Sequence, residues 1–130
     1  MTQRWTPITL GADVPPPAGA YSPAVRAGEF LYVSGQVPRD LRSGATVGSD
    51  VVEQTRQVIG NLESVLTAAG ATLADVVSVT VYLSSPDLWT AFNGVYRELM
   101  PQPYPARTAV GVSLRGFLVE INAVAYLGKR

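Results

Sequence analysis

The segment from Asp50 to Gly70 constrains the fold most, because it contains the clearest helical pattern in the chain. Its apolar and small residues recur at helical spacing, namely Val51, Thr55, Val58, Ile59, Leu62, Val65, Leu66 and Ala69. Asp50 is a suitable N-cap, with Glu53 at capping-box spacing, and Gly70 supplies a C-terminal stop. The pattern predicts one long helix with an apolar face that must be covered.

Strand-like segments lie on both sides of this helix. Residues 30–33 form a short aromatic-rich segment between Gly28 and Gly35, and residues 24–27 precede it, which predicts a hairpin through Gly28. Residues 76–83, with the sequence VVSVTVYL, predict a central strand because most of their side chains are β-branched.

A second helix is predicted from Ser85-Pro86-Asp87, and prolines at positions 101, 103 and 105 end it. Residues 106–112 and 117–127 then predict two closing strands, joined at Leu114-Arg115-Gly116. The element order predicts an α+β fold with two helices on one face of a sheet. Two helices leave the other face uncovered. Since that face also carries Val, Leu and Tyr side chains, we expect it to pack against neighbouring subunits.

Composition excludes several chemistries. The 130 residues contain no Cys and no His, which rules out disulfides, thiolate nucleophiles, Cys/His zinc sites and a Ser-His-Asp triad. Ten basic and ten acidic residues cancel, and nine of the basic residues are scattered arginines, so the sequence offers no basic stripe for nucleic acid or membrane. This argues against a ribonuclease. Charged residues make up only 15%, which suggests that some surface meets another subunit.

The N-terminal region carries neither a signal-like apolar segment nor a bilayer-spanning stretch, so we expect a cytoplasmic protein. Residues 14–19 form the one proline-rich stretch and should run extended. Its place just before Tyr21 suggests a positioned loop. No repeat or linker divides the chain, and residues 1–130 are expected to form a single domain.

A carboxylate lies in the middle of the last predicted strand. One face of that strand is apolar throughout: Val119, Ile121, Ala123, Ala125 and Leu127. The opposite face is mixed: Leu118, Glu120, Asn122, Val124 and Tyr126. An ionised group is costly to bury unpaired, so Glu120 is either functional or part of a structural ion pair or rim.

Arg107 stands at the start of the preceding strand. If the two closing strands form a hairpin with a four-residue loop, Ala109 pairs with Glu120 and Arg107 with Asn122, so that Arg107 and Glu120 share one face. An odd number of loop residues would break this arrangement. Arg107 then either grips a substrate carboxylate with two parallel hydrogen bonds or neutralises Glu120.

Three further positions are weaker candidates. Ser34 and Gly35 are predicted at a strand end, where a hydroxyl and a bare backbone allow close approach of a ligand, although turn glycines are common there. Asn93 lies one helical turn from Trp89 and Tyr96, and its alternative role is that of a solvent-facing polar residue.

Taken in order along the chain, several short motifs resemble the RidA/YjgF family. They are Gly19-Ala20-Tyr21-Ser22-Pro23-Ala24, Leu31-Tyr32-Val33-Ser34-Gly35-Gln36, Gln54-Thr55-Arg56-Gln57, Asn61-Leu62, Ala69-Gly70, Pro105-Ala106-Arg107 and Val119-Glu120-Ile121. The resemblance implies a chorismate-mutase-like α+β fold, a homotrimer and active sites between subunits. It also implies hydrolysis of enamines and imines, such as 2-aminoacrylate and 2-iminobutanoate, to 2-oxo acids and ammonia without a cofactor.

Carried over by position, the resemblance implies that Arg107 binds the substrate carboxylate and Glu120 positions or activates water. It implies that Tyr21, Ser34, Gly35 and Asn93 line the cleft. Ala109 stands where some members have Cys, and its backbone can still contact ligand.

The chain also departs from the family pattern. Leu114-Arg115-Gly116 replaces a usual Leu-Pro pair, Ala20 replaces a common Pro, and Asn122 replaces a frequent acidic residue. The interval from Arg107 to Glu120 is about two residues short. A larger substrate such as 2-aminomuconate, or a non-catalytic ligand-binding or chaperone-like trimer, remains an alternative.

Overall fold

The computed structural model describes residues 4–128, which contain six strands and two α-helices. The strands are β1 (Thr6–Ile8), β2 (Ala24–Ala27), β3 (Phe30–Gln36), β4 (Val76–Leu83), β5 (Ala106–Gly111) and β6 (Val119–Tyr126). The helices are α1 (Val51–Ala68) and α2 (Trp89–Leu99). Short 3-10 turns, Leu73–Asp75 and Pro86–Leu88, precede β4 and α2.

The long helix is confirmed, together with both of its predicted ends. The Asp50 side chain accepts a hydrogen bond from the backbone N–H of Glu53 at 2.8 Å. Gly70 adopts a φ of +77°, a left-handed conformation that ends helices and favours glycine. The apolar stripe is fully buried and packs onto β3 and β6: Val58, Ile59, Leu62, Val65 and Leu66.

The strand order is β1-β2-β3-β6-β4-β5, and it corrects one prediction. The β2–β3 hairpin is confirmed, with Ala27 opposite Phe30. The predicted hairpin between β5 and β6 is wrong, because β6 pairs antiparallel with both β3 and β4, and β5 pairs parallel with the far side of β4. The chain leaves β4, forms α2 and returns as a crossover, which brings the next strand back parallel.

Both helices lie on one face of the sheet, as predicted. The strand side chains on that face are buried: Leu31, Val33, Val79, Val81, Leu83, Val119, Ile121, Ala123 and Ala125. The other face, which we call the open face, carries Phe30, Tyr32, Val110 and Tyr126, each 40–50% exposed. No helix of residues 4–128 covers it. Among the same residues, no helix is long and apolar enough to cross a membrane.

Candidate functional site

Arg107 is held on the helix face by α2. It lies opposite the buried Val79 in the β4–β5 register, so the two side chains project to the same side. Its Nη1 donates to Asn93 Oδ1 at 2.8 Å. Its Cζ lies 4.7 Å from the ring centroid of Tyr96 and 5.7 Å from that of Trp89. Aromatic faces attract a guanidinium without neutralising it, so the fork is fixed in place and keeps its charge.

A cavity of about 400 Å³ lies beside Arg107. Two arginines and no carboxylate line this cavity. The full set of lining residues is Asn93, Tyr96, Arg97, Tyr104, Pro105 and Arg107. Within residues 4–128, Arg107 forms no ion pair. Burial raises the pKa of the Tyr96 phenol, although the nearby Arg107 charge works against this, so Tyr96 is neutral at physiological pH. The cavity therefore presents uncompensated positive charge.

Glu120 lies on the open face, opposite Tyr82 of β4. Its carboxylate rests against the backbone of Gly35 on β3. A methyl group built on Gly35 would lie 3.0 Å from Glu120 Cδ and closer still to one carboxylate oxygen. The close approach therefore requires glycine. In the described part of the chain, the Glu120 carboxylate makes no hydrogen bond and no ion pair.

Arg107 and Glu120 therefore do not share a face, contrary to the prediction. The predicted pairs Ala109–Glu120 and Arg107–Asn122 do not form, because β4 lies between β5 and β6. The alternative in which Arg107 neutralises Glu120 is wrong as well, since the two side chains project to opposite sides of the sheet.

Ser34 ties the segment that carries Tyr21 to the sheet. Its Oγ donates to the carbonyl of Ser22 at 2.6 Å, and its backbone N–H donates to the carbonyl of Pro23 at 3.0 Å. Strand β3 ends at Gln36, so Ser34 and Gly35 lie in its last three residues, near the predicted strand end, where the register with β6 shifts. Tyr21 itself is 57% exposed.

A second cavity, of about 450 Å³, extends from Tyr21 and Gly35 beneath residues 14–18. Its walls are mostly apolar side chains, including those of Leu10, Val14, Leu41 and Val65. Residues 14–18 of the proline-rich stretch therefore form one wall of this cavity, next to Tyr21.

The sequence-predicted residues accordingly fall into two groups. Arg107 and Asn93 form the first, and Ala109 lies two residues along the same side of β5, opposite Val81. The second group, on β3, β6 and the adjoining loop, consists of Tyr21, Ser34, Gly35 and Glu120.

Sequence reasoning missed two members of the Arg107 cavity, Arg97 and Tyr104. The signal for Arg97 was available, because residues four apart on a helix share a face and Arg97 follows Asn93 by four. In residues 4–128, no group of three or more His, Cys, Asp or Glu side chains could hold a metal ion.

Comparison with known proteins defines the class. The family described as Endoribonuclease L-PSP matches residues 11–127. A RutC family protein of Pyrococcus horikoshii is 45% identical over 121 residues, which is 92% of this chain and 96% of the relative. A 2-iminobutanoate/2-iminopropanoate deaminase of Dermatophagoides farinae is 35% identical over 115 residues, 87% of this chain and 90% of the relative.

The fold agrees with these relatives. The crystal structure of YyfA from Yersinia pestis, described as a protein of unknown function of the conserved Rid protein family, superposes with a TM-score of 0.87 at 34% identity. The superposition covers 94% of this chain and 98% of the YyfA chain. The fold and the sequence matches together define an α+β protein of the Rid type. The chain belongs to the RidA/YjgF family.

Proposed function

We propose that this protein hydrolyses 2-imino acids and their enamine tautomers, such as 2-aminoacrylate, 2-iminopropanoate and 2-iminobutanoate, to 2-oxo acids and ammonia. The observation that carries the proposal is the Arg107 guanidinium, which is fixed by Asn93 and aromatic rings, faces a cavity and has no carboxylate partner in the described residues. Such a fork suits the planar carboxylate of an amino-acid-like substrate. Family membership and the relative named as an imine deaminase support the same reaction.

We further propose that the protein works as a homotrimer. Arg107 and Glu120 project to opposite sides of one sheet, so both can reach one substrate only if a second copy supplies one of them. The exposed aromatic side chains of the open face and the low charged fraction of 15% support an interface there. The resemblance to the RidA/YjgF family favours three subunits over two.

The chemistry follows from these positions. Arg107 binds the substrate carboxylate next to the C=N carbon. A water held by Glu120 of a neighbouring copy attacks that carbon, and the carboxylate accepts the water proton. Glu120 returns this proton to the nitrogen of the carbinolamine and accepts the hydroxyl proton as the C=O bond forms, and the C–N bond breaks to release ammonia. One imine and one water thus give one 2-oxo acid and one ammonia. Tyr21, Ser34, Gly35 and the Ala109 backbone form the surrounding walls.

The test uses imines that a serine/threonine dehydratase generates in situ. Semicarbazide traps the imine faster than it condenses with the 2-oxo acid, so an active protein lowers the initial rate of semicarbazone formation. In reactions without semicarbazide, it speeds ammonia release. Arg107→Ala is the matched inactive control. An initial rate of semicarbazone formation that does not change with protein concentration would refute the proposed reaction. Binding of substrate analogues without turnover would instead support the non-catalytic alternative.

A further inference from the structure

The Arg107 cavity contains a second cation that the proposed reaction does not use. Arg97 follows Asn93 by one helical turn on α2 and lines the same cavity. The neighbouring Glu98 does not compensate it, because its carboxylate is held by Arg56, with Nη2–Oε2 at 2.8 Å. In the part of the chain that the structure describes, Arg97 has no ion-pair partner.

The surrounding polar groups also leave the Arg97 guanidinium available. Tyr104 donates its hydroxyl to the Arg97 backbone carbonyl at 3.4 Å and so does not occupy the side chain. The side-chain oxygen of Asn93 already accepts a hydrogen bond from Arg107. Arg97 is exposed, and together with Arg107 it gives the lining of this cavity two positive charges and no carboxylate. An occupant with two negative charges can pair with both arginines.

We propose that the preferred substrates are 2-imino acids with a second carboxylate. Arg107 binds the carboxylate next to the C=N carbon and Arg97 binds the distal one. The cavity, at about 400 Å³, has room for a short dicarboxylate. This inference rests on the proposed imine hydrolysis and names its substrate class. The products are 2-oxo dicarboxylic acids and ammonia, formed by the same addition of water. The class of reaction that supplies these substrates is the two-electron oxidation of the amino group of acidic amino acids.

A binding experiment tests the inference without turnover. Calorimetry compares 2-oxoglutarate with 2-oxopentanoate, which has the same carbon chain and lacks the second carboxylate. We expect the wild type to bind 2-oxoglutarate roughly ten-fold more tightly, the effect of one partly solvated charge-assisted hydrogen bond. Arg97→Gln should remove this preference and Arg97→Lys should keep part of it. Arg26→Gln is the matched control, because Arg26 lies on β2 and donates to the Gly28 carbonyl.

Three outcomes would overturn the assignment. They are equal affinities in the wild type, a preference that persists in Arg97→Gln, and an Arg97→Gln variant that loses affinity equally for both ligands. Light scattering and circular dichroism establish that each variant keeps the wild-type assembly and fold.

Turnover separates this inference from the proposed function. Amino acid oxidases supply the imines of glutamate and norvaline, and the glutamate imine should have the higher kcat/KM through a lower KM. Equal kcat/KM values with both imines hydrolysed would refute the dicarboxylate preference and leave the deaminase proposal standing. A preference for 2-oxoglutarate in binding, with neither imine hydrolysed, would support the site and refute the reaction.

Discussion

Replacing Gly35 by Ala should impair the proposed hydrolysis through Glu120 while leaving the fold intact. The new methyl carbon would lie 3.0 Å from Glu120 Cδ and 3.3 Å from Cγ. Ordinary contacts need about 3.5–4.0 Å between carbon atoms, and one carboxylate oxygen would lie nearer to the methyl group than Cδ does, so the carboxylate must withdraw by roughly 1 Å or more. Glu120 is half-buried, and its carboxylate has no hydrogen-bond or ion-pair partner in the described residues that would oppose its movement, so we expect a stability loss below about 1 kcal/mol.

The loss of activity should be much larger than the loss of stability. A displacement of this size at a reacting group costs about 100-fold in rate. The assay is steady-state hydrolysis of 2-iminobutanoate, and the fall should appear in kcat with little change in KM, because Arg107 still binds the substrate. Gly60→Ala is the matched control, since a methyl group there meets no atom within 4 Å. It lies in α1 and should be fully active, and more stable by about 0.5–1 kcal/mol.

A double mutant decides whether Gly35 acts through Glu120. In a Glu120→Ala background the clash with the carboxylate is gone, so adding Gly35→Ala should lower kcat no further. Full activity of Gly35→Ala would show that the carboxylate position does not matter. Additive losses in the double mutant would show that Gly35 has its own role and would refute the positioning argument.

Other expectations concern the two charged groups and the assembly. Arg107→Ala should abolish turnover with the assembly intact. Arg107→Lys should restore little activity, because Lys lacks the planar fork. Near-normal kcat/KM in the Ala variant would show that the substrate carboxylate is bound elsewhere. Glu120→Gln should keep KM but lower kcat by about 100-fold, the low end of general-base contributions, and a loss of affinity with kcat intact would contradict the role. Light scattering in dilute buffer should report three chains per particle, and a monomer at micromolar concentration would remove the proposed shared site.

The elements could be predicted from sequence because each depends on local pattern. Asp50 and Gly70 mark the ends of α1, and the β-branched run of β4 was predicted with its observed bounds. Strand β1 was not predicted, since three residues that include Pro7 carry no strand signal. The open face followed from the element count, because two helices cover one side of a sheet.

Strand order could not be read in the same way. Alternation in residues 119–126 assigns the faces of β6 correctly but says nothing about its neighbours. The short interval between Arg107 and Glu120 suggested a trimmed hairpin, whereas the connection passes the end of β4, where Val112 donates to the Leu83 carbonyl and Ser84 to that of Leu118. The aromatic support of Arg107 was missed for a similar reason, because it comes from packing between α2 and β5.

The observed strand order leaves Arg107 and Glu120 free to act on a substrate, whereas the predicted β5–β6 hairpin would have paired them with each other. Had Arg107 and Glu120 been neighbours on one face, they would have formed an ion pair. That pair would occupy the guanidinium fork that the substrate carboxylate needs. With β4 between the two strands, each charge stays unpaired within residues 4–128. In the proposed assembly the two groups meet only across the substrate, whose carboxylate satisfies Arg107 and whose C=N carbon receives the water held by Glu120.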